Sequence, residues 1–260
     1  MLTDLLELAP NGVEEERGPG FVEFAIYGGP GEVPELGELK AAAGEALVDV
    51  SGTAVPDDWA DRWTDFHQPV EVADRIRVRP SWEPPAGGLI DVVVDPGQAF
   101  GTGAHATTRL CLELLVSLAD RGGAEGSLAD WGTGSGVLAI AAVKLGWGPA
   151  IACDRDVAAL EAAAANAEAN GVELELARVD VREQAPPFAP TVVANLTAPL
   201  LQECARRLGK GGEVPDALVC SGMLAAESDL VASAFASCDL EEASRGAAGD
   251  WAALLLSRAS

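Results

Sequence analysis

The sequence predicts an α/β fold: a doubly wound, largely parallel sheet of seven strands with helices on both faces. Short apolar runs that are typical of buried strands alternate with Ala- and Leu-rich helical stretches from residue 128 to the C-terminus. The last two apolar runs, 240–243 and 251–256, follow each other without a helix between them. They therefore predict a terminal hairpin that completes the sheet.

A small α+β domain is predicted for residues 1–54. The stretch 22–27 alternates as a strand does, 36–47 is an Ala-rich helical stretch, and 47–50 is a second strand. This order resembles the later part of a ferredoxin-like domain without its first strand. Either the sequence begins inside the domain, or the domain has lost an edge strand.

Residues 55–67 predict a linker helix, and residues 68–260 the large α/β domain. Pro56 and the acids after it fit a helix N-terminus, and Trp59 and Trp63 share one helical face. This pair of Trp side chains either packs on the large domain or binds a partner.

Each further element of the large domain has a local signal. Residues 76–79 and 89–94 are strand candidates, and the Gly-rich segment 95–108 is a loop that ends where Thr107 or Thr108 caps a helix. The remaining helices and strands are predicted from apolar periodicity. The strands are 128–131, 150–153, 172–179, 191–194 and 217–220, and the helices are the stretch after Gly136, 156–170, 199–208 and 224–236.

The amino-acid composition limits which partners and cellular locations are expected. The formal charge of −24 repels phosphate backbones, so nucleic acid is an unfavourable direct partner, whereas a basic protein is attracted. The acidity could instead serve only solubility. No apolar run is long enough to span a membrane, and the five cysteines are widely spaced, so we expect a cytoplasmic protein without a metal site. We also expect a monomer.

The segment from Leu128 to Ile140, LADWGTGSGVLAI, carries the strongest chemical signal. Glycines at 132, 134 and 136 let a strand turn directly into a helix and let a ligand lie against free backbone amides. The residue after Gly136 is Val137, so the dinucleotide fingerprint is not met. This pattern, with Asp154 ending the next strand, resembles the cofactor loop of class I S-adenosylmethionine-dependent methyltransferases. The alternative is a Gly-rich turn beside an ordinary surface acid.

Three stretches together resemble the PrmA family of ribosomal protein methyltransferases. They are DPGQAFGTGAHATT from Asp95, the glycine segment itself, and VVANLTAPL from Val192. The resemblance implies methylation of lysine and N-terminal amines of the eleventh large-subunit ribosomal protein. It also implies that the N-terminal domain recognises the substrate and that S-adenosylmethionine is the methyl donor.

The resemblance also implies the site residues. The expected cofactor contacts are Thr108, Gly132, Gly134, Asp154 and Asn195, and the expected catalytic residues are Asn195 and Thr107. Asn195 would orient the amine, or else would merely cap the helix that follows it. His105 is either a proton shuttle or a residue that orders its loop. The family often has Asn-Ile-Leu-Ala where this chain has Asn-Leu-Thr-Ala, which affects the shape of the amine pocket. The alternatives are another protein lysine or small amine as substrate, and a non-catalytic interaction protein with this fold.

Overall fold

The structure is a computed structural model that describes residues 14–18, 21–25, 39, 68–95 and 103–258. Contacts divide the chain into two units, Met1–Asp61 and Arg62–Ser260. The predicted domain boundaries stay predictions, since the linker helix with Trp59 and Trp63 lies outside the described residues.

In the smaller unit, two short strands form an antiparallel hairpin. Strand β1 (Glu14–Gly18) pairs with β2 (Phe21–Ala25), and Glu16 lies opposite Glu23 in the register. Strand β2 begins one residue before the predicted strand 22–27, whereas β1 was not predicted. Leu39 is helical, within the predicted helix 36–47. The predicted strand 47–50 and the ferredoxin-like arrangement lie outside the described residues.

A three-stranded sheet opens the larger unit. Strand β4 (Ile76–Arg79) lies between β3 (Val70–Val72), which is antiparallel to it, and β5 (Ile90–Val93), which is parallel. Strands β4 and β5 confirm the two predicted strands. The sequence analysis missed β3, which has only three residues.

A seven-stranded sheet follows, in the spatial order β11-β12-β10-β9-β6-β7-β8. The four pairs from β10 to β8 are parallel, and β12 is antiparallel to both β10 and β11, which confirms the predicted hairpin. The strands are β6 (Leu128–Trp131), β7 (Ala150–Asp154), β8 (Glu175–Arg178), β9 (Thr191–Asn195), β10 (Ala217–Leu224), β11 (Leu240–Ala248) and β12 (Trp251–Arg258).

The described part of the larger unit has five helices, one before this sheet's first strand and four between its strands. They are α1 (Ala106–Asp120), α2 (Val137–Leu145), α3 (Val157–Asn170), α4 (Ala198–Leu208) and α5 (Ser228–Ala236). The predicted helix 224–236 begins later, because β10 continues to Leu224 past an irregularity in its register and a 3-10 turn (Ala225–Glu227) precedes α5. None of the helices in the described ranges is long and apolar enough to cross a lipid bilayer.

Two hydrophobic cores cover the two faces of the seven-stranded sheet. Alternate residues of central strand β9 belong to different cores: Val193 packs with buried residues of α1 and α2, whereas Val192 and Ala194 pack with those of α4 and α5. A strand that is buried on both faces is apolar in its interior, as the Val-Val-Ala run of β9 is. The sheet is therefore doubly wound, as the sequence predicts.

The order of the strands determines where a ligand can bind. Strand β6 has β7 on one side and β9 on the other, so the chain reverses its direction across the sheet at β6. Open α/β sheets bind ligands outside the carboxyl ends of the strands at such a reversal. Every described site residue predicted from the sequence lies at this edge or in the first turn of α1.

Candidate active site at the carboxyl edge of the sheet

The loop between β6 and α2 is built on left-handed glycines. Gly132, Gly134 and Gly136 have φ of 76°, 53° and 82°, values that side chains with a Cβ rarely adopt. The amides of Gly132 and Thr133 donate to the carbonyl oxygen of Cys153 at 2.8 and 2.9 Å, which fastens the loop to the end of β7. Gly136 is the N-cap of α2 and offers no side-chain cap, so the helix's first turn can take a ligand oxygen.

Asp154, the last residue of β7, holds this loop through its carboxylate. Its Oδ2 accepts from the Gly134 amide at 3.0 Å, and its Oδ1 accepts from the Asp156 amide at 3.0 Å. Each carboxylate oxygen has a second lone pair, so Asp154 retains the capacity to accept from sugar hydroxyls. The same side chain thus organises the loop and presents acceptors beside it.

Asp130 is fully buried in the middle of β6. Its Oδ2 accepts from the Thr133 hydroxyl at 2.7 Å, and its Oδ1 has no hydrogen-bond partner among the described residues. Burial, opposed by the Thr133 hydrogen bond, raises the pKa of this carboxyl to about 7. The sequence located Asp130 in the loop motif but gave no sign that one of its oxygens lacks a partner.

Asn195 and Thr108 meet although 87 positions separate them. Asn195 ends β9, and its Nδ2 donates to Oγ1 of Thr108 at 3.4 Å. Thr108 lies in the first turn of α1 and is buried. With Nδ2 directed at Thr108, Oδ1 is the Asn195 atom suited to accept a hydrogen bond from a substrate. Thr197 is the N-cap of α4, so the alternative in which Asn195 caps that helix is wrong.

Comparison with known proteins identifies the family. Residues 35–259 match the family model described as ribosomal protein L11 methyltransferase (PrmA). The chain is 39% identical over 219 residues to the ribosomal protein L11 methyltransferase of Pelotomaculum thermopropionicum, which covers 81% of this chain and 69% of that protein. The chain belongs to the ribosomal protein L11 methyltransferase family. It is therefore an S-adenosylmethionine-dependent methyltransferase.

Further comparisons agree with this assignment. The ribosomal protein L11 methyltransferase of Symbiobacterium thermophilum is 38% identical over 205 residues, which are 76% of this chain and 65% of that protein. A solved ribosomal protein L11 methylase from Lactobacillus delbrueckii subsp. bulgaricus has a TM-score of 0.64 at 27% identity. That match covers 74% of this chain and 99% of the other. The chain spans about two thirds of the length of the two curated relatives named here.

Methyltransferases of this family use S-adenosylmethionine, and the residues present fit it. The Asp154 carboxylate can accept hydrogen bonds from sugar hydroxyls, and Gly132 and Gly134 allow close approach of a ligand to the backbone. The individual cofactor and catalytic assignments, Thr107 included, remain predictions. No group of three or more potential metal ligands comes together in the described part of the chain.

The start of α1 corrects one expectation about this L11 methyltransferase family member. The N-cap is His105, whereas Thr107 and Thr108 lie inside the first turn. His105 Nδ1 accepts from the Thr107 amide at 3.3 Å and lies 2.8 Å from its hydroxyl, while the ring meets Trp251 edge-on at 5.0 Å between centroids. The prediction of a Thr cap was wrong because an imidazole nitrogen fills the acceptor role that Thr usually takes.

Leu196, directly after Asn195, is held between two glycines. A Cβ at position 132 would overlap its Cδ2, and a Cβ at position 222 would overlap its carbonyl oxygen. Its amide donates to the Ser221 carbonyl at 3.0 Å. The absence of side chains at Gly132 and Gly222 therefore fixes the chain beside Asn195, a role that the Gly-x-Gly pattern alone does not reveal.

Proposed function

We propose that this protein transfers methyl groups from S-adenosylmethionine to amine nitrogens of ribosomal protein L11, at lysine side chains and at the N-terminus. The observation that carries the proposal is the meeting of Asn195 and Thr108 beside the glycine loop, in a chain whose relatives are named ribosomal protein L11 methyltransferases. The enzyme is proposed to act in the cytoplasm as a monomer.

The amine must lose its proton before it can accept a methyl group. A lysine with a pKa of about 10.4 costs roughly 4.6 kcal/mol to deprotonate at pH 7. The bound cofactor supplies an electrophilic methyl group on a cationic sulfonium. Burial of the amine in this edge of the sheet disfavours its ammonium form and reduces that cost. Asn195 Oδ1 then accepts an N–H of the neutral amine and orients its lone pair.

Leu196 supports an aliphatic amine as the acceptor. Enzymes that methylate exposed planar amides or bases with an Asn-Pro-Pro-Tyr motif stack the acceptor on the aromatic ring. Here Leu196 and Thr197 follow Asn195, and the Leu196 side chain packs over Gly132. This segment offers no ring for stacking, whereas a lysine side chain needs only an aliphatic wall.

The small N-terminal unit is proposed to recognise the ribosomal protein. The support is the charge of −24, which favours a basic partner, and a pair of strands whose sequences carry Glu14, Glu15, Glu16 and Glu23. Recognition and catalysis would then be divided between the two units of the chain.

The test is methyl transfer from labelled S-adenosylmethionine to purified ribosomal protein L11, followed by mass spectrometry of the modified amines. We expect Asn195→Ala to lower turnover far more than it weakens cofactor binding, because its proposed task is to orient the amine. Asn195→Asp adds a carboxylate that stabilises the ammonium and hinders deprotonation, so its activity should recover as pH rises.

Two outcomes would contradict the proposal. Labelling of other purified ribosomal proteins at the same rate as L11 would point to a broader amine substrate. Full activity of both Asn195 variants from pH 7 to pH 10 would remove Asn195 from the mechanism.

A further inference from the structure

Helix α3 carries two asparagines whose side chains reach outside the helix. Asn166 and Asn170 lie one turn apart on a helix that is otherwise rich in Ala. Asparagine is a poor residue for a helix interior, because its side chain competes for backbone hydrogen bonds. Neither residue has a role in the proposed function, and the sequence analysis did not single them out.

Asn166 joins two segments that are far apart in the sequence. Its Nδ2 donates to the Ser135 carbonyl oxygen in the glycine loop at 2.8 Å. Its Oδ1 accepts from the amide of Asp95, just after β5, at 3.4 Å. Asn166 and Ser135 are both buried, so the contact between them is made away from water, whereas Asp95 is exposed.

Asn170 makes comparable bonds, but only to the strand side. Its Oδ1 accepts from the Val93 amide at 2.8 Å, and its Nδ2 donates to the Val93 carbonyl oxygen at 2.6 Å. Nδ2 also donates to the Asn166 carbonyl oxygen at 2.7 Å. Asn170 therefore fastens β5 to α3 and makes no bond to the glycine loop.

The Asn166 contact holds one peptide plane of the glycine loop from both sides. The plane between Ser135 and Gly136 has its carbonyl oxygen on Asn166 and its N–H on the Thr133 carbonyl oxygen at 2.9 Å. Gly136 has a φ of 82° and packs closely against α3, where a Cβ would lie 3.1 Å from the Cβ of Ala163. Ala163 is three positions before Asn166, on the same face of the helix.

We infer that Asn166 is a positioning residue for the methyl donor: it fixes the Ser135–Gly136 peptide, and so the first-turn amides of α2, in the orientation that receives the cofactor. Without Asn166, the buried Ser135 carbonyl loses this hydrogen bond, and glycine at 136 allows the peptide to rotate. Because Asn166 also accepts from the Asp95 amide, it links the glycine loop to the segment that follows β5.

The experiment compares Asn166→Asp and Asn166→Ala with Asn170→Ala. Aspartate retains an acceptor for the Asp95 amide but cannot donate to Ser135, and alanine removes both bonds while it suits a helix. We expect both Asn166 variants to weaken binding of S-adenosylhomocysteine at least tenfold in calorimetry. Amide hydrogen exchange at residues 134–137 should accelerate at least tenfold, and the KM for the cofactor should rise more than kcat falls.

Asn170→Ala is the matched control, because it removes two bonds to β5 but none to the glycine loop. It should lower the melting temperature and leave cofactor affinity within twofold of the wild type. Asn166 variants that bind within twofold of the wild type would overturn the inference. So would an equal loss of affinity in Asn170→Ala, since that would indicate only a loosened strand. The calorimetric and hydrogen-exchange readouts need no protein substrate, so these two stand even if ribosomal protein L11 is not methylated.

Discussion

Asp154 illustrates how one side chain can serve two purposes at once. Both of its carboxylate oxygens already accept backbone amides, one from the glycine loop and one from the turn that starts α3. Loss of the carboxylate should therefore remove the proposed sugar acceptors and also loosen the glycine loop. We expect the two effects to act in the same direction.

Asp154→Ala should weaken S-adenosylmethionine binding at least tenfold, since hydrogen bonds to a charged group contribute about 1.5–3 kcal/mol each. Calorimetry of the purified variant measures this. Asp156→Ala is the control: it removes the N-cap acceptor of α3, which should cost about 1 kcal/mol of stability but no affinity. Unchanged binding by Asp154→Ala would place the sugar elsewhere.

Asp130 makes stability depend on pH. Its pKa rises from an ordinary value near 3.8 to about 7 on folding, so between these values the folded protein binds a proton that the unfolded chain has released. Stability therefore falls as pH rises through this window and is constant above it. Asp130→Asn cannot ionise, and it should gain about 2 kcal/mol over the wild type between pH 5.5 and pH 8.

Chemical denaturation of both proteins at these two pH values checks the prediction. Both values lie well above the isoelectric point of about 4.2, which avoids precipitation at zero net charge. Glu241→Gln, on the exposed strand β11, is the control and should run parallel to the wild type. A constant difference between Asp130→Asn and the wild type would show that Asp130 does not titrate in this window.

At the level of secondary structure, helix α1 depends on a histidine cap. Burial lowers the pKa of His105, so the ring is neutral at pH 7 and Nδ1 can accept from the Thr107 amide. The unfolded chain takes up a proton at higher pH than the folded protein does. The contribution of His105 is therefore lost as pH falls below about 6.5.

His105→Ala should cost about 1 kcal/mol of folding free energy at pH 7, whereas His105→Asn keeps a good capping acceptor and should cost less. The same pair of variants separates the two roles considered for His105. Normal turnover in His105→Asn would support the ordering role, and a large loss of turnover with unchanged stability would support the proton shuttle. Urea denaturation and initial rates provide the two measurements.

A feature could be predicted from the sequence where a short stretch of neighbouring residues marks it. The positions of Asp154 and Asn195 at the carboxyl edge of the sheet were predicted because each residue ends an apolar run, and parallel strands bring their carboxyl ends to one edge. Strand β1 was missed because EEERG has the composition of a solvated loop. The link from Asn166 to Ser135 joins residues 31 positions apart, and nothing local marks an asparagine as bonded outside its helix. Strand β8 is shorter than predicted, and among the described strands it lies at the sheet edge with β7 as its partner.

At the scale of the whole molecule, the proposal that one unit recognises the substrate and the other binds the cofactor predicts how truncation and salt concentration affect methylation. If residues 1–54 recognise a basic ribosomal protein, their deletion should abolish methylation of that protein and leave cofactor binding intact. Association of the full chain should weaken as salt rises, because the screening length falls from about 10 Å at 0.1 M to about 3 Å at 1 M.

The measurement compares full-length and truncated enzyme on purified ribosomal protein L11 at low and high salt, with cofactor affinity measured alongside. Equal methylation by both forms would remove the recognition role. Loss of cofactor binding on truncation would show that the deletion damaged the catalytic unit and that the two functions are not separable.

The seating of Leu196 between Gly132 and Gly222 has a consequence for redesign of the acceptor specificity. Leu196 leaves no room for a side chain at Gly132 or Gly222, so the three positions must be varied together. A library that enlarges position 222 alone would push on the carbonyl and the amide nitrogen of Leu196, and through the peptide bond between Asn195 and Leu196 it would shift Asn195. Changes of substrate range selected at that position would then come with slower catalysis. Smaller residues at 196 would open space over Gly132 but would leave the clash with the carbonyl at 222 in place.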